Sequence, residues 1–188
     1  MARQGNLIVF TGPSGVGKGT VVKRLFEELD EICFSVSATT RKQRVGEEEG
    51  VNYFYKSRAE FEQMISSDKL LEWAEFVGNY YGTPRDFVEE MLESGKDVFL
   101  EIEVHGALQV IKSCKPVTIF LLPPSFEELE SRLRNRGTED EETLQRRLAK
   151  AREEMKETDQ FKYKVINDDV EAATEKLKAI ILAERIKV

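Results

Sequence analysis

Apolar positions along this chain fall into two periods. Leu7–Thr11 is nearly continuous in apolar residues, the pattern of a parallel strand covered on both faces. Asp97–Glu103, Val117–Leu122 and Tyr163–Ile166 read the same way, the first ending in carboxylates. Lys18–Leu29 instead places Val21, Val22, Leu25 and Leu29 on one side of a helix. Strands of this kind alternating with helices predict an α/β chain with a doubly wound parallel-sheet core.

The middle of the chain breaks that rhythm. Cys33–Val36 and Val51–Tyr55 are short strand candidates. Leu70–Phe76 and Asn79–Tyr81 flank a turn at Gly78. Short antiparallel strands inside a βα chain point to a small inserted domain. Ser57-x-x-Glu60 is a capping box ahead of Phe61, Met64 and Ile65. Thr83 and Pro84 are expected to cap and open a helix through Phe87, Val88, Met91 and Leu92 that Gly95 ends. Pro123-Pro124 stops a strand, and Ser125-x-x-Glu128 opens a further helix. Arg132–Arg152 is highly charged, with Gly137 as a break and Thr138-x-x-Glu141 as a second cap. Little apolar surface is legible there, so this stretch is expected to project from the core. It reads either as a solvated face or as a mobile lid. Asp169 caps a last helix that turns Ala173, Leu177, Ile180 and Ile181 inward.

Between the first strand and the first helix stands the stretch that organises the rest. Gly12, Pro13, Ser14, Gly15, Val16, Gly17, Lys18, Gly19 and Thr20 make a glycine-rich loop with the spacing Gly12-x-x-x-x-Gly17-Lys18. Such a loop wraps its N–H groups around a phosphate, and a lysine at this place follows a phosphoryl group during transfer. Gly19 stands where a serine or threonine hydroxyl usually meets Mg²⁺, which moves that duty to Thr20. Strand, loop, lysine and helix in this order outweigh an accidental glycine turn.

Composition narrows the function. The chain has 188 residues and a formal net charge of −7, which argues against a nucleic-acid partner. A phosphate-binding protein with this charge concentrates its cations locally, and Arg41, Arg44, Arg132, Arg136, Arg146 and Arg147 are the candidates. Two distant cysteines, Cys33 and Cys114, read as buried thiols in a reducing compartment. A single histidine, His105, leaves little for a zinc site or a Ser/His triad. No signal peptide or membrane-length apolar run is evident, so a cytoplasmic protein with no membrane partner is expected. Whether it is a monomer or a small homo-oligomer is open.

Several motifs occur together in one order: the loop at Gly12–Thr20, Phe34-Ser-Val-Ser-Ala-Thr-Thr-Arg41, Glu72-Trp-Ala-Glu-Phe, Gly78-Asn-Tyr-Tyr-Gly-Thr83, Arg136-Gly-Thr138 and Asn167-Asp-Asp169. With them the chain resembles the guanylate kinases, P-loop nucleoside monophosphate kinases, over nearly its whole length. The resemblance implies a P-loop NTPase core at 1–33, 92–128 and 162–188, a mixed α+β GMP-binding insert at 34–91 and a helical lid at 129–161. It implies transfer of the ATP γ-phosphoryl group to GMP with Mg²⁺, with dGMP left open as a second acceptor, and a part in purine nucleotide supply.

Site residues follow from the resemblance. The loop, Arg132, Arg136, Asn167 and Asp168 would bind ATP. Ser37, Arg41, Arg44, Glu47, Tyr53, Glu72, Tyr81, Thr83, Glu101 and Glu103 would bind GMP. Glu72 suits guanine because a carboxylate accepts from N1–H and N2–H₂, whereas adenine presents no such pair. Lys18, Arg41, Arg132, Arg136 and Arg147 would stabilise the transferring group, and Thr20 with Glu101 would hold Mg²⁺. Relatives often carry aspartates in place of Glu101 and Glu103, and glutamine in place of His105, to which no role is given. Alternatives are a kinase for AMP or a pyrimidine nucleotide, an inactive phosphopeptide-binding module of the same fold, and a regulatory GTPase. The first conflicts with Glu72, the second with Lys18 and the lid arginines. The third lacks an Asn-Lys-x-Asp motif.

Overall fold

In the computed structural model, residues 4–135 and 140–187 are described. A five-stranded sheet has the order β2-β7-β1-β8-β9, formed by β1 (Leu7–Thr11), β2 (Ile32–Phe34), β7 (Asp97–Glu101), β8 (Val117–Leu122) and β9 (Tyr163–Ile166). All its pairings are parallel. Successive residues of β1 enter opposite layers. Ile8 and Phe10 pack with Val21 and Leu25 of α1 (Lys18–Glu28) and Leu177 and Ile181 of α7 (Val170–Arg185). Val9 packs with Val88 of α3 (Arg85–Glu93) and Val104, Ala107 and Val110 of α4 (Val104–Ser113). A strand buried on both faces has no polar side to alternate with, which is why these runs are so uniformly apolar.

A second sheet has the order β4-β3-β6-β5, with β3 at Ala38–Thr39, β4 at Phe54–Tyr55, β5 at Leu70–Phe76 and β6 at Asn79–Pro84. Its small core is Ala38, Phe61 and Leu70. Phe61 lies on α2 (Arg58–Ser66), whose capping box at Ser57 and Glu60 forms as the sequence predicts. Gly95, in the left-handed region at φ 87°, closes α3.

The structure corrects several expectations. Thr83 does not cap a helix and Pro84 does not open one from within: β6 runs on through both, and α3 starts at Arg85. The Thr83 hydroxyl is taken instead by the buried Glu72 carboxylate. The strand expected to reach Glu103 stops at Glu101, and Glu103 precedes a helix, α4, that the strand reading does not anticipate. The strand expected at 33–36 among the antiparallel strands of the insert is Ile32–Phe34, an edge strand of the core sheet parallel to β7, and Val51–Tyr55 shortens to Phe54–Tyr55, which pairs parallel with β3. The second charged helix, α6 (Glu141–Lys156), is capped by Asp140; Thr138 lies outside the described residues. Nor does this charged region simply project. Leu133 of α5 (Phe126–Asn135) and Leu144, Leu148 and Ala151 of α6 join the main core, because apolar residues three and four apart make a stripe that charged neighbours hid. Both cysteines are free and only half-buried.

At the end of the sheet opposite the loop, Asp97 is wholly buried. It accepts from the Asn6 N–H at 2.8 Å and from Arg185 Nε at 2.6 Å, tying the last helix to the strand ends. Removing one member of a buried ion pair leaves the other charge uncompensated. Asp97→Ala is therefore expected to lower unfolding free energy by roughly 3–5 kcal/mol, read from urea denaturation. A loss below about 1 kcal/mol would show the pair to be structurally idle.

Candidate active site

The glycine-rich loop leaves β1 at the carboxyl end of the sheet, where chain crossings on either side of β1 open a crevice. The Thr11 hydroxyl donates to the Ile102 carbonyl at 2.7 Å, binding the start of the loop to the end of β7. Gly17 takes φ 98°, and a Cβ there would stand 2.6 Å from Asn167 Nδ2, so both conformation and space demand glycine. It precedes α1, which has no side-chain cap and no acidic residue in its first turn. The leading N–H groups and the positive end of the helix are thus left for an anion.

Lys18 Nζ donates to the Gly12 carbonyl at 2.6 Å and the Pro13 carbonyl at 3.3 Å. Burial pulls its pKa below the ordinary lysine value, against the opposing charges of Glu101, Glu154 and Glu103. Burial likewise pushes the Glu101 carboxyl up, opposed by Lys18. Lysine and carboxylate thus stand within electrostatic reach at the strand ends.

On one side of this pair opens a cleft of about 330 Å³ whose walls include Ser37, Tyr53, Glu72, Tyr81, Glu101 and Glu103. These are six of the residues assigned to the acceptor. His105 and Gly106 line it as well, and sequence reasoning gave neither a place. Glu72 sits where the β5–β6 register shifts between Leu70 and Trp73, an irregularity that re-aims a side chain. It is only 7% exposed and accepts the Thr83 hydroxyl at 2.7 Å. Burial raises its pKa, with the Thr83 hydrogen bonds opposing. Thr83 is thus placed behind the carboxylate, itself buried.

Arg41 and Glu47 pair at 2.7 Å. Glu47 also accepts the Arg44 N–H at 2.8 Å and the Tyr55 hydroxyl at 2.7 Å. The Arg41 hydrogen bond, followed by those from Arg44 and Tyr55, holds the Glu47 carboxyl down to about 2. The Arg41 guanidinium lies 5.2 Å from the Tyr53 ring centroid, and Tyr53 packs edge-on to Tyr81. Arg41, Tyr53 and Tyr81 are therefore one cluster. The Arg44 side chain is exposed. Tyr55 was missed, although its spacing of two from Tyr53 signals a shared strand face.

On the other side of the loop a cleft of about 390 Å³ is lined by Gly15, Gly17, Thr20, Arg132, Asn135, Asn167, Asp168 and Val170. Asn167 is buried, and its amide donates to the Val16 carbonyl at 2.7 Å. Arg132 reaches the Asn167 carbonyl at 3.1 Å and the Val16 carbonyl at 3.4 Å, and pairs with Glu128. Both residues brace the loop as well as lining the cleft. Arg147 of α6 donates to the Ser14 hydroxyl at 2.6 Å, and Lys150 of the same helix pairs with Glu103 at 2.8 Å. Arg146 faces outward toward Glu142. Arg136 lies outside the described residues.

Among the described residues no group of three or more His, Cys, Asp or Glu side chains could hold a metal by itself. No helix among them is long and apolar enough to cross a membrane.

The Guanylate kinase family model matches residues 4–184. The chain is 57% identical over 188 residues to a guanylate kinase of Bacillus anthracis, covering 99% of this chain and 92% of that protein. It is 54% identical over 189 residues to a guanylate kinase of Bacillus subtilis (strain 168), covering 100% and 93%. Its structure resembles the crystal structure of guanylate kinase from Anaplasma phagocytophilum with a TM-score of 0.76 and 33% identity, covering 100% of this chain and 89% of that one.

Proposed function

The chain belongs to the guanylate kinase family, and from that premise we propose which of its residues carry the reaction. Guanylate kinases are ATP:GMP phosphotransferases, and this chain transfers the γ-phosphoryl group of ATP to GMP, giving ADP and GDP. The observation that carries the residue assignment is one juxtaposition. An uncapped helix N-terminus with Lys18 lies between two clefts, one lined by Glu72, Tyr53 and Tyr81 and the other by Arg132 and Asn167.

In this reading the Gly12–Thr20 loop holds the triphosphate by its N–H groups, and Lys18 follows the group in flight. Asn167 and Asp168 flank the donor base. Arg41, Arg44, Tyr53 and Tyr81 hold the GMP phosphate, with Glu47 orienting Arg41. Glu72 accepts from the guanine N1–H and N2–H₂ and Ser37 donates toward O6, while the Thr83 hydroxyl, spent on the Glu72 carboxylate, holds that carboxylate in place. Arg132, Arg147 and, by the family resemblance, Arg136 gather negative charge in the transition state. Glu103 joins the acceptor cleft to α6 through Lys150. Closing 34–91 and 129–161 over the 1–33, 92–128 and 162–188 core would exclude water.

Thr20 lines the cleft with Arg132 and Asn167, and Glu101 the cleft with Glu72, so these hard oxygen donors stand on different sides of the loop and are too few to cage a metal alone. That fits Mg²⁺ arriving with the nucleotide and keeping most of its waters. When bound, Mg²⁺ neutralises charge on the phosphates.

The deciding experiment is ADP formation with GMP, AMP, UMP and CMP offered separately. Strong preference for GMP is expected; comparable turnover of AMP would overturn the role of Glu72. A pH series adds a second check. Because burial raises the Glu72 pKa above the ordinary 4.5, its carboxylate takes up a proton at a higher pH than a solvated one and ceases to accept. KM for GMP is expected to rise as pH falls toward that region. The GMP phosphate titrates too, so the comparison is with Glu72→Gln, whose KM should lack the Glu72 component of the rise. Superimposable profiles would remove Glu72 from guanine binding.

A further inference from the structure

We propose that Gly106 is a specificity-determining positioning residue: its bare Cα is the wall against which the Glu72 carboxylate is set to read the acceptor base. The inference rests on the assignment of Glu72 to guanine made above.

Gly106 is buried in the first turn of α4, a helix of the core layer. Nothing in its backbone asks for glycine, since its φ is not in the left-handed region. A glycine inside a helix costs about 1 kcal/mol relative to alanine, so what it provides here is space. A methyl group on its Cα would stand 2.7 Å from Glu72 Oε2, 3.3 Å from Cδ and 3.5 Å from Cγ. The nearest of these is well inside van der Waals contact.

Relief has to come from one of two places. The first is the main chain of β5, and Gln109 closes that route. One turn further along α4, its Nε2 donates to the Trp73 carbonyl at 3.0 Å and its Oε1 accepts the Trp73 N–H at 3.2 Å. The amide thus acts as a strand partner on the free edge of β5, and it holds the residue next to Glu72 to the core helix. The second is the Glu72 side chain, which is flexible at its far end. Its carboxylate is held from the opposite side by the Thr83 hydroxyl. A methyl at 106 would therefore push the carboxylate off Thr83 and out of register with the cleft, at little cost to the fold. Base selection in the insert is set by a helix of the core.

The test compares Gly106→Ala, Glu72→Gln, and Gly106→Ala on a Glu72→Asp background. KM is measured for GMP, for inosine monophosphate and for ATP, together with Tm. Gly106→Ala is expected to raise KM for GMP at least tenfold, leave KM for ATP within twofold and leave Tm unchanged or higher. Its preference for GMP over inosine monophosphate, which lacks the N2 amine, should narrow. On the Glu72→Asp background the shorter side chain clears the methyl, and the same substitution should change KM for GMP less than twofold. A KM for GMP within twofold of the parent in Gly106→Ala, where Glu72→Gln raises it, would overturn the inference alone. An unaltered KM in Glu72→Gln would overturn the reading of Glu72 and the inference with it. If Gly106→Ala lowers Tm, the pair of backgrounds decides: equal increases in KM on both would mark general damage and reject the proposal.

Discussion

Lys18→Ala is expected to lower kcat by on the order of 10³-fold, the scale for losing one preorganised positive group from a transferring phosphoryl. In the structure the ammonium is placed by the carbonyls of Gly12 and Pro13 and desolvated enough to lower its pKa. A cation held partly out of water gains more from an arriving phosphate than a solvated one does. Lys18→Arg should not restore the rate, because a planar fork cannot occupy the place of a compact ammonium among these carbonyls. Coupled measurement of ADP release, with Tm as a control for folding, checks both. A loss below tenfold in folded Lys18→Ala would take the lysine out of the transfer step.

The second large effect belongs to Glu72→Gln. Each hydrogen bond to a charged group contributes about 1.5–3 kcal/mol, and the amide that replaces the carboxylate turns a donor toward guanine donors. KM for GMP should rise on the order of 10²-fold, with kcat at saturating GMP falling much less. That split separates lost base recognition from lost chemistry. Since removing the charge also relieves a buried carboxylate of its desolvation, Glu72→Gln is expected to be no less stable than the parent, measured by thermal unfolding. Equal losses in kcat and kcat/KM would instead mean that the residue acts in the transition state.

Both residues could be chosen from the sequence, for different reasons. Lys18 sits in a local signal: a strand, glycines at fixed spacing and a helix start are contiguous, and the backbone conformation they need is written in the residue types. Glu72 has no such frame. It was singled out by the resemblance of a whole set of motifs, and its burial, its Thr83 partner and the register shift that aims it came only with the fold.

The misses have a common cause. Thr83 and Pro84 make a good local helix start, yet a buried carboxylate competed for the threonine hydroxyl and won. The stretch Val104–Ser113 carries apolar residues at helical spacing, but it follows directly on an apolar strand, and the change of period at Glu103 was the signal to read. The charged α6 conceals Leu144, Leu148 and Ala151, because composition averages over a helix whose two faces have opposite fates.

The chain alone determined the glycine-rich loop, four of the five parallel strands and the helix caps at Ser57 and Asp169, since each depends on neighbours within a turn or two. Only the tertiary structure decided which side chains meet across long separations: Arg147 on Ser14, Lys150 on Glu103, Arg41 over Tyr53, and Glu72 between Thr83 and Gly106. Those contacts follow from the order in which strands pair and helices cover them, and no periodicity within one segment carries that order.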